Sequence, residues 1–181
     1  EKIEDTAKTL SRYVDMIMAR VYSHDEVEIL AKNSTIPVIN GLSDSFHPCQ
    51  ILADLMTIKE KKKKLDGLKI AWIGDGNNVC NSMIYGCAKS SIDISIATPK
   101  GYEPNPEVVK ESKKFIDIQL QNDPIVAVKD ADVVVTDTFV SIHHQVTDRT
   151  KDFLPRFQVN SNLMKKASHD AIFLHCLPAK R

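Results

Sequence analysis

No apolar run in this chain approaches the ~18 residues that a helix needs to cross a bilayer, so the sequence gives no helical membrane span. Net charge is also missing. Lys plus Arg and Asp plus Glu both number 24, and no basic face stands out, which argues against a nucleic-acid partner. Cysteine is scarce and scattered. Cys49, Cys80, Cys87 and Cys176 fit no metal-ligand spacing, so a reduced, cytoplasmic protein is the expectation. The sequence does not begin with Met, and its opening residues are not patterned as a secretory leader. The chain opens on E-K-I-E-D-T-A-K-T-L, already helical in pattern, and stops at H-C-L-P-A-K-R, directly after a strand-like run. These ends predict an internal fragment of a longer protein.

What is present reads as globular. Apolar residues make up 43% and charged residues 27%, and 181 residues suffice for one large domain or two small ones. The pattern alternates helices with short apolar strands. Residues 5–14 predict a helix and 16–20 a strand. Ser23 and Glu26 have capping-box spacing for a second helix. Residues 36–40 read as a strand, and Ile51, Leu52, Leu55 and Ile58 recur at helical spacing. The run E-K-K-K-K-L-D-G (60–67) reads as a solvated helix end or linker and marks a domain boundary. Beyond it, strands are predicted at 68–73, 91–97, 131–138 and 171–176, with helices at 79–89, 104–115 and a short one opening on Asp123-Pro124. The fold class is therefore α/β, with parallel sheets and crossover helices. Ligands of such sheets bind beyond the carboxyl ends of the strands. Arg20, the 74–78 turn, Asp137 and the 175–178 turn all lie there.

Several residues carry both a structural and a chemical reading. H-P-C-Q (47–50) opens a helix, with Pro48 suited to its first turn and His47 and Gln50 one turn apart. His47 or Ser45 can cap that helix. Alternatively, a His47 held neutral by the helix terminus can donate one hydrogen bond to a polarised carbonyl. Arg20, ending an apolar run, is a surface terminus or a bidentate anion ligand. G-D-G-N-N (74–78) is not a dinucleotide fingerprint, because Val79 stands where the third glycine belongs. It is a capped turn, or it offers the Asn78 amide to a ligand carboxylate. Asp137 and Ser141 can close a turn or bind a ligand ammonium group. Cys176 is a core thiol or a site residue, and thiolate catalysis is not expected without an activating neighbour. His143 and His144 have no partners at metal spacing, so no metal is expected.

Taken together, A-R-V-Y (19–22), N-G-L-S-D-S-F-H-P-C-Q-I-L-A-D (40–54), W-I-G-D-G-N-N (72–78), A-T-P-K-G-Y-E-P (97–104), T-D-T (136–138) and H-C-L-P (175–178) resemble the aspartate/ornithine carbamoyltransferase family. The resemblance runs along essentially the whole chain. H-P-x-Q is common to both branches of the family, whereas G-D-G-N-N with H-C-L-P looks specific to the ornithine branch. The resemblance implies transfer of a carbamoyl group from carbamoyl phosphate to the δ-amine of L-ornithine, giving L-citrulline and phosphate without metal or organic cofactor. It implies that residues 1–60 are the end of a carbamoyl-phosphate-binding domain with its bridging helix, and that 61–181 are a truncated ornithine-binding domain. Arg20 and His47 then hold the carbamoyl oxygen, Arg20 also reaches phosphate, and Gln50 holds the carbamoyl amino group. Asn78, Asp137 and Ser141 take the α-carboxylate and α-amino group of ornithine. Cys176 and the Leu177 carbonyl lie by the δ-amine. The intact parent is expected to be a homotrimer of arginine metabolism. Alternatives are a relative that uses putrescine or N-acetylornithine, or a non-catalytic paralogue that binds substrates. Two departures are visible. The family's Ser-x-Arg-Thr phosphate loop has no counterpart in these residues, and S-I-H (141–143) stands where the family has Ser-Met-Gly. The isolated chain is accordingly expected to have little or no activity.

Overall fold

A computed structural model describes residues 2–140 and 149–179. Helix α1 (Ile3–Leu10), strand β1 (Ile17–Arg20), helix α2 (His24–Asn33) and strand β2 (Val38–Leu42) form the first unit. β1 and β2 pair in parallel as a sheet of their own. Its small core is Ala7, Ala19, Val27 and Leu30. Helix α3 (Pro48–Lys62) then leads to a second sheet. That sheet contains β3 (Lys69–Ile73), β4 (Asp93–Ala97), β5 (Ile118–Gln121), β6 (Val133–Thr136) and β7 (Ile172–His175), in the order β5-β4-β3-β6-β7, with every pair parallel. Helices α4 (Asn78–Ser90), α5 (Pro106–Ser112), α6 (Pro124–Val128), α7 (Thr150–Phe153) and α8 (Ser161–Met164) connect the strands.

The inner strands β3 and β6 of the larger sheet are apolar on both faces, because helices cover both. In β3, Ile70 and Trp72 enter one layer with Ile51 and Ile58 of α3, Met83 and Ile84 of α4, and Val108 of α5. Ala71 and Ile73 enter the opposite layer with Val128 of α6, Phe153 of α7 and Leu163 of α8. Side chains alternate along a strand, so one four-residue stretch serves two cores. From β3 the chain builds outward through β4 to β5, then returns to add β6 and β7 on the other side. The reversal opens a crevice between the carboxyl ends of β3 and β6.

The turn after β3 is fixed from several sides. Gly74 has φ +132, a backbone conformation open mainly to glycine. The Gly76 N–H donates to the Tyr102 carbonyl at 2.8 Å. A Cβ at Gly76 would lie 2.3 Å from the Pro104 nitrogen. Asn77 caps α4, its side chain accepting from the N–H groups of Val79 and Cys80. Arg149 pairs with Asp75 at 2.8 Å, both side chains well buried, and its guanidinium lies over the Tyr102 ring.

A polar seam joins this turn to the segment before α3. The Asn78 amide donates to the Ser43 carbonyl at 2.7 Å. The Asn81 amide donates to the Ser45 carbonyl at 3.2 Å. The His47 N–H donates to the Ser82 hydroxyl at 2.8 Å, which itself donates to the Asn78 carbonyl.

Three expectations need correction. The lysine run is not simply solvated. α3 continues through Lys62, whose side chain is 8% exposed and whose ammonium pairs with Asp170 at 2.8 Å. The capping box at Ser23 does not form: the Glu26 N–H donates to the Ser23 carbonyl rather than to its hydroxyl, and Asp44 takes the His24 N–H from across the fold. β5, α7 and α8 were not anticipated. The first is a short edge strand with exposed Leu120, and the helices have four residues each, too few to show a period.

Two substitutions probe this arrangement. Gly76→Ala is expected to cost roughly 2 kcal/mol or more, because backbone atoms occupy the space that the methyl needs. Ser82→Ala is expected to cost about 1–3 kcal/mol by stranding the His47 N–H. Urea denaturation of each variant beside the parent chain measures both. A Gly76→Ala protein of unaltered midpoint would contradict the packing described.

Candidate active site

At the carboxyl ends of both sheets lies a cavity of about 330 Å³. β1 and β2 bring Arg20 and Leu42, α3 brings His47 and Gln50, and α4 brings Asn78 and Val79. The segment after β6 brings Asp137, Thr138 and Val140, and the turn after β7 brings Cys176 to Ala179. Arg20, His47, Gln50, Asn78, Asp137, Cys176 and Leu177, separate in the sequence, thus share one space. Ser141 and the S-I-H stretch lie outside the described residues.

Local irregularities aim these groups. The register of β1 against β2 slips at its end, where Ala19 faces Asn40 but Arg20 faces Leu42. Such a slip redirects the side chain that follows it. His47 occupies the N-cap position of α3, yet its side chain makes no capping bond. The Ser45 hydroxyl bonds Asp44 instead. Neither residue caps the helix, which leaves the His47 ring to the cavity. Burial first, and then the Arg20 cation, lower the pKa of His47, while Asp137 opposes them. The imidazole is therefore held neutral and can donate one N–H.

On the other wall, Asp137 is a buried carboxylate with three donors. Its Oδ1 accepts from the Cys176 thiol at 2.8 Å and from the Thr138 N–H at 2.7 Å. Its Oδ2 accepts from the Asn77 amide at 2.7 Å. Desolvation, and then the bond to Asp137, push the Cys176 thiol up to about 12. Cys176 is a thiol hydrogen-bond donor and not a nucleophilic thiolate. The Asn78 amide spends one N–H on Ser43, which leaves its second N–H and its oxygen for a ligand.

Asn77, Thr138 and Asp54 were not singled out from the sequence. Asn77 both caps α4 and orients Asp137. Asp54 accepts from the Gln50 amide at 3.0 Å, and the spacing of four residues on one helix was the available signal. In the glycine turn, Gly76 is packed against the backbone of residues 102–104, so packing within the fold accounts for its missing Cβ. Among the described residues no group of three or more His, Cys, Asp or Glu is placed to hold a metal ion, and no helix is long and apolar enough to cross a membrane.

Known proteins share this sequence and fold. Residues 1–60 match the carbamoyl-P binding domain of aspartate/ornithine carbamoyltransferase, and residues 66–181 match the Asp/Orn binding domain. The ornithine carbamoyltransferase of Cenarchaeum symbiosum is 60% identical over 181 residues, covering all of this chain and 60% of that protein. That of Methanocaldococcus jannaschii is 54% identical over all of this chain and 62% of that protein. The solved ornithine carbamoyltransferase of Pyrococcus furiosus superposes with a TM-score of 0.91 at 49% identity, covering all of this chain and 60% of that one. The chain thus spans about three-fifths of the length of the curated relatives it matches. With both halves matched in order and the whole chain superposing, this chain belongs to the aspartate/ornithine carbamoyltransferase family.

Proposed function

We propose that the full-length protein transfers the carbamoyl group of carbamoyl phosphate to the δ-amine of L-ornithine, releasing L-citrulline and phosphate. The observation that carries this reading is the convergence of Arg20, His47 and Gln50 with Asn78, Asp137 and Cys176 on one cavity. The first three suit a planar carbamoyl group bearing an anion. The last three suit an amino acid with a carboxylate and an amine. In this reading residues 1–60 close a carbamoyl-phosphate unit and residues 61–181 form the ornithine unit. The two separate sheets support that division.

The reaction forms a bond from the δ-nitrogen to the carbamoyl carbon and breaks the bond from that carbon to the phosphate oxygen. The attacking nitrogen gives up one proton, and the departing phosphate oxygen gains one. Between these events the carbamoyl oxygen carries negative charge. Arg20 and the neutral His47 ring donate to it, and each such preorganised donor contributes about 2.7–4 kcal/mol by analogy with a measured oxyanion hole. Gln50 holds the amino group and fixes the plane of attack, so part of the barrier is met by orientation. The amine must arrive unprotonated, although a free alkylamine has a pKa near ~10.4. The partly desolvated wall by Cys176 and the Leu177 carbonyl favours its neutral form. Asp137 takes the α-ammonium group, and Asn78 the α-carboxylate. We further infer a homotrimeric, cytoplasmic enzyme of arginine metabolism, as is usual for the family.

Two measurements check this reading. The full-length protein, given carbamoyl phosphate with ornithine, putrescine, N-acetylornithine or aspartate, is expected to form a ureido product only with ornithine. The 181-residue chain alone is expected to give little or none. A product from a different amine would overturn the roles of Asn78 and Asp137 while leaving the carbamoyl clamp in place. In the second measurement, iodoacetamide at pH 8 is expected to modify exposed Cys49 readily and Cys176 slowly. A thiol at about 12 is thiolate in only about one molecule in ten thousand at that pH. Asp137→Asn is expected to speed labelling of Cys176, and peptide mapping reads both sites.

A further inference from the structure

One face of α3 carries two polar side chains a turn apart. Gln50 lines the cavity, and Asp54 stands behind it, half-buried. The Gln50 Nε2 donates to Asp54 Oδ1 at 3.0 Å. Asp54 is not among the residues that line the cavity. It therefore acts there only through Gln50 or through its charge.

A primary amide has two ends of opposite character, an acceptor oxygen and a donor NH₂. Turned by half a revolution it fills the same space and offers the opposite chemistry. A carbamoyl amino group presents N–H donors and must meet the oxygen end. An ionised carboxylate accepts only, so it retains the NH₂ end of its neighbour. Resting on the carbamoyl-transfer reading above, we propose that Asp54 is a positioning residue: its carboxylate holds the NH₂ of Gln50 and so presents the Gln50 oxygen to the carbamoyl amino group.

The stability of the fold does not account for an acid at this place. Burial pushes the Asp54 carboxyl up to about 6, the Gln50 bond opposes that, and Asp137 adds to it from beyond β6. Among the described residues, Asp137 is the charged group that acts on Asp54 from the facing elements, and Cys176 is the other titratable one. A raised folded value means that stability present below the ordinary 3.8 is lost as pH rises to about 6. At neutral pH the ionised Asp54 thus costs stability, whereas an asparagine would fill the same space without that cost. The orientation of Gln50 follows the charge in the opposite sense. Above about pH 6 the carboxylate fixes the amide. Below it, a protonated Asp54 can donate to the Gln50 oxygen and hold the wrong end outward.

The test compares Asp54→Asn with wild type in the full-length protein. Steady-state kinetics with carbamoyl phosphate and ornithine are run from pH 5.5 to 9, and urea denaturation is followed at pH 8. Asp54→Asn is expected to raise the KM for carbamoyl phosphate about tenfold at pH 8, the loss of one charge-assisted hydrogen bond's worth of orientation, with a smaller change in kcat. Wild-type kcat/KM for carbamoyl phosphate is expected to show an inflection near pH 6, set by Asp54, that is absent from the variant. The variant is expected to be at least as stable to urea as wild type, a result that a purely structural role does not produce alongside a raised KM. An unchanged KM, or the same inflection in both proteins, overturns the proposal. If wild type forms no ureido product from any amine, the carbamoyl-transfer reading itself fails and takes this inference with it.

Discussion

The polar seam between the turn before α3 and the first turns of α4 is the constraint on which the site depends. Ser43 and Ser45 offer carbonyls, Asn78 and Asn81 offer amides, and Ser82 receives the His47 N–H. Each bond is between a side chain of one segment and the backbone of the other. Buried backbone groups must find partners, and here the partners come from the opposite unit. The seam therefore sets the distance between two sets of functional groups that belong to separate sheets. Apolar packing of Ile51 and Ile58 against α4 brings α3 close, but such contacts are non-directional. The directional bonds fix which way His47 and Gln50 face.

With the walls fixed, the charges around the cavity follow a pattern. The cation, Arg20, enters from the end of β1, where it is exposed. The anions, Asp137 and Asp54, are withdrawn behind their donors. Asp137 is covered by Asn77, Thr138 and Cys176, and Asp54 by Gln50. His47 and Cys176 are held neutral by burial and by their charged neighbours. An anionic group is favoured on the Arg20 side and a cationic or neutral amine on the Asp137 side. A desolvated, polarised cavity strengthens each of these preferences. In the proposed reaction, that asymmetry keeps phosphate and amine on opposite sides of the carbamoyl carbon.

Much of the architecture was legible because strands buried on both faces advertise themselves. V-V-V-T at β6 and K-I-A-W-I at β3 are short, apolar and bounded by turn residues. The Asp123 cap before Pro124 was also legible, because capping is a local interaction. The edge strand β5 was not, since exposure on its open side lets polar residues interrupt the pattern. The same locality explains the error at Ser23. Its spacing to Glu26 is correct, yet its side chain makes no capping bond, and Asp44, distant in sequence, takes the His24 N–H.

The sequence by itself determined the α/β class, the residues that end each strand, and a motif set that names the family, because these rest on local pattern and residue type. Only the tertiary structure decided how the residues act together. Asn77 rather than Asn78 caps α4, Lys62 pairs with Asp170, Cys176 is bound to Asp137, and Asp54 stands behind Gln50. Lys62 and Cys176 meet partners far away in the sequence, and Asp54, though one helical turn from Gln50, takes its burial and the Asp137 charge from other parts of the fold. A side chain's protonation state and hydrogen-bond direction depend on such burial and neighbours, and those are set only when the chain has folded.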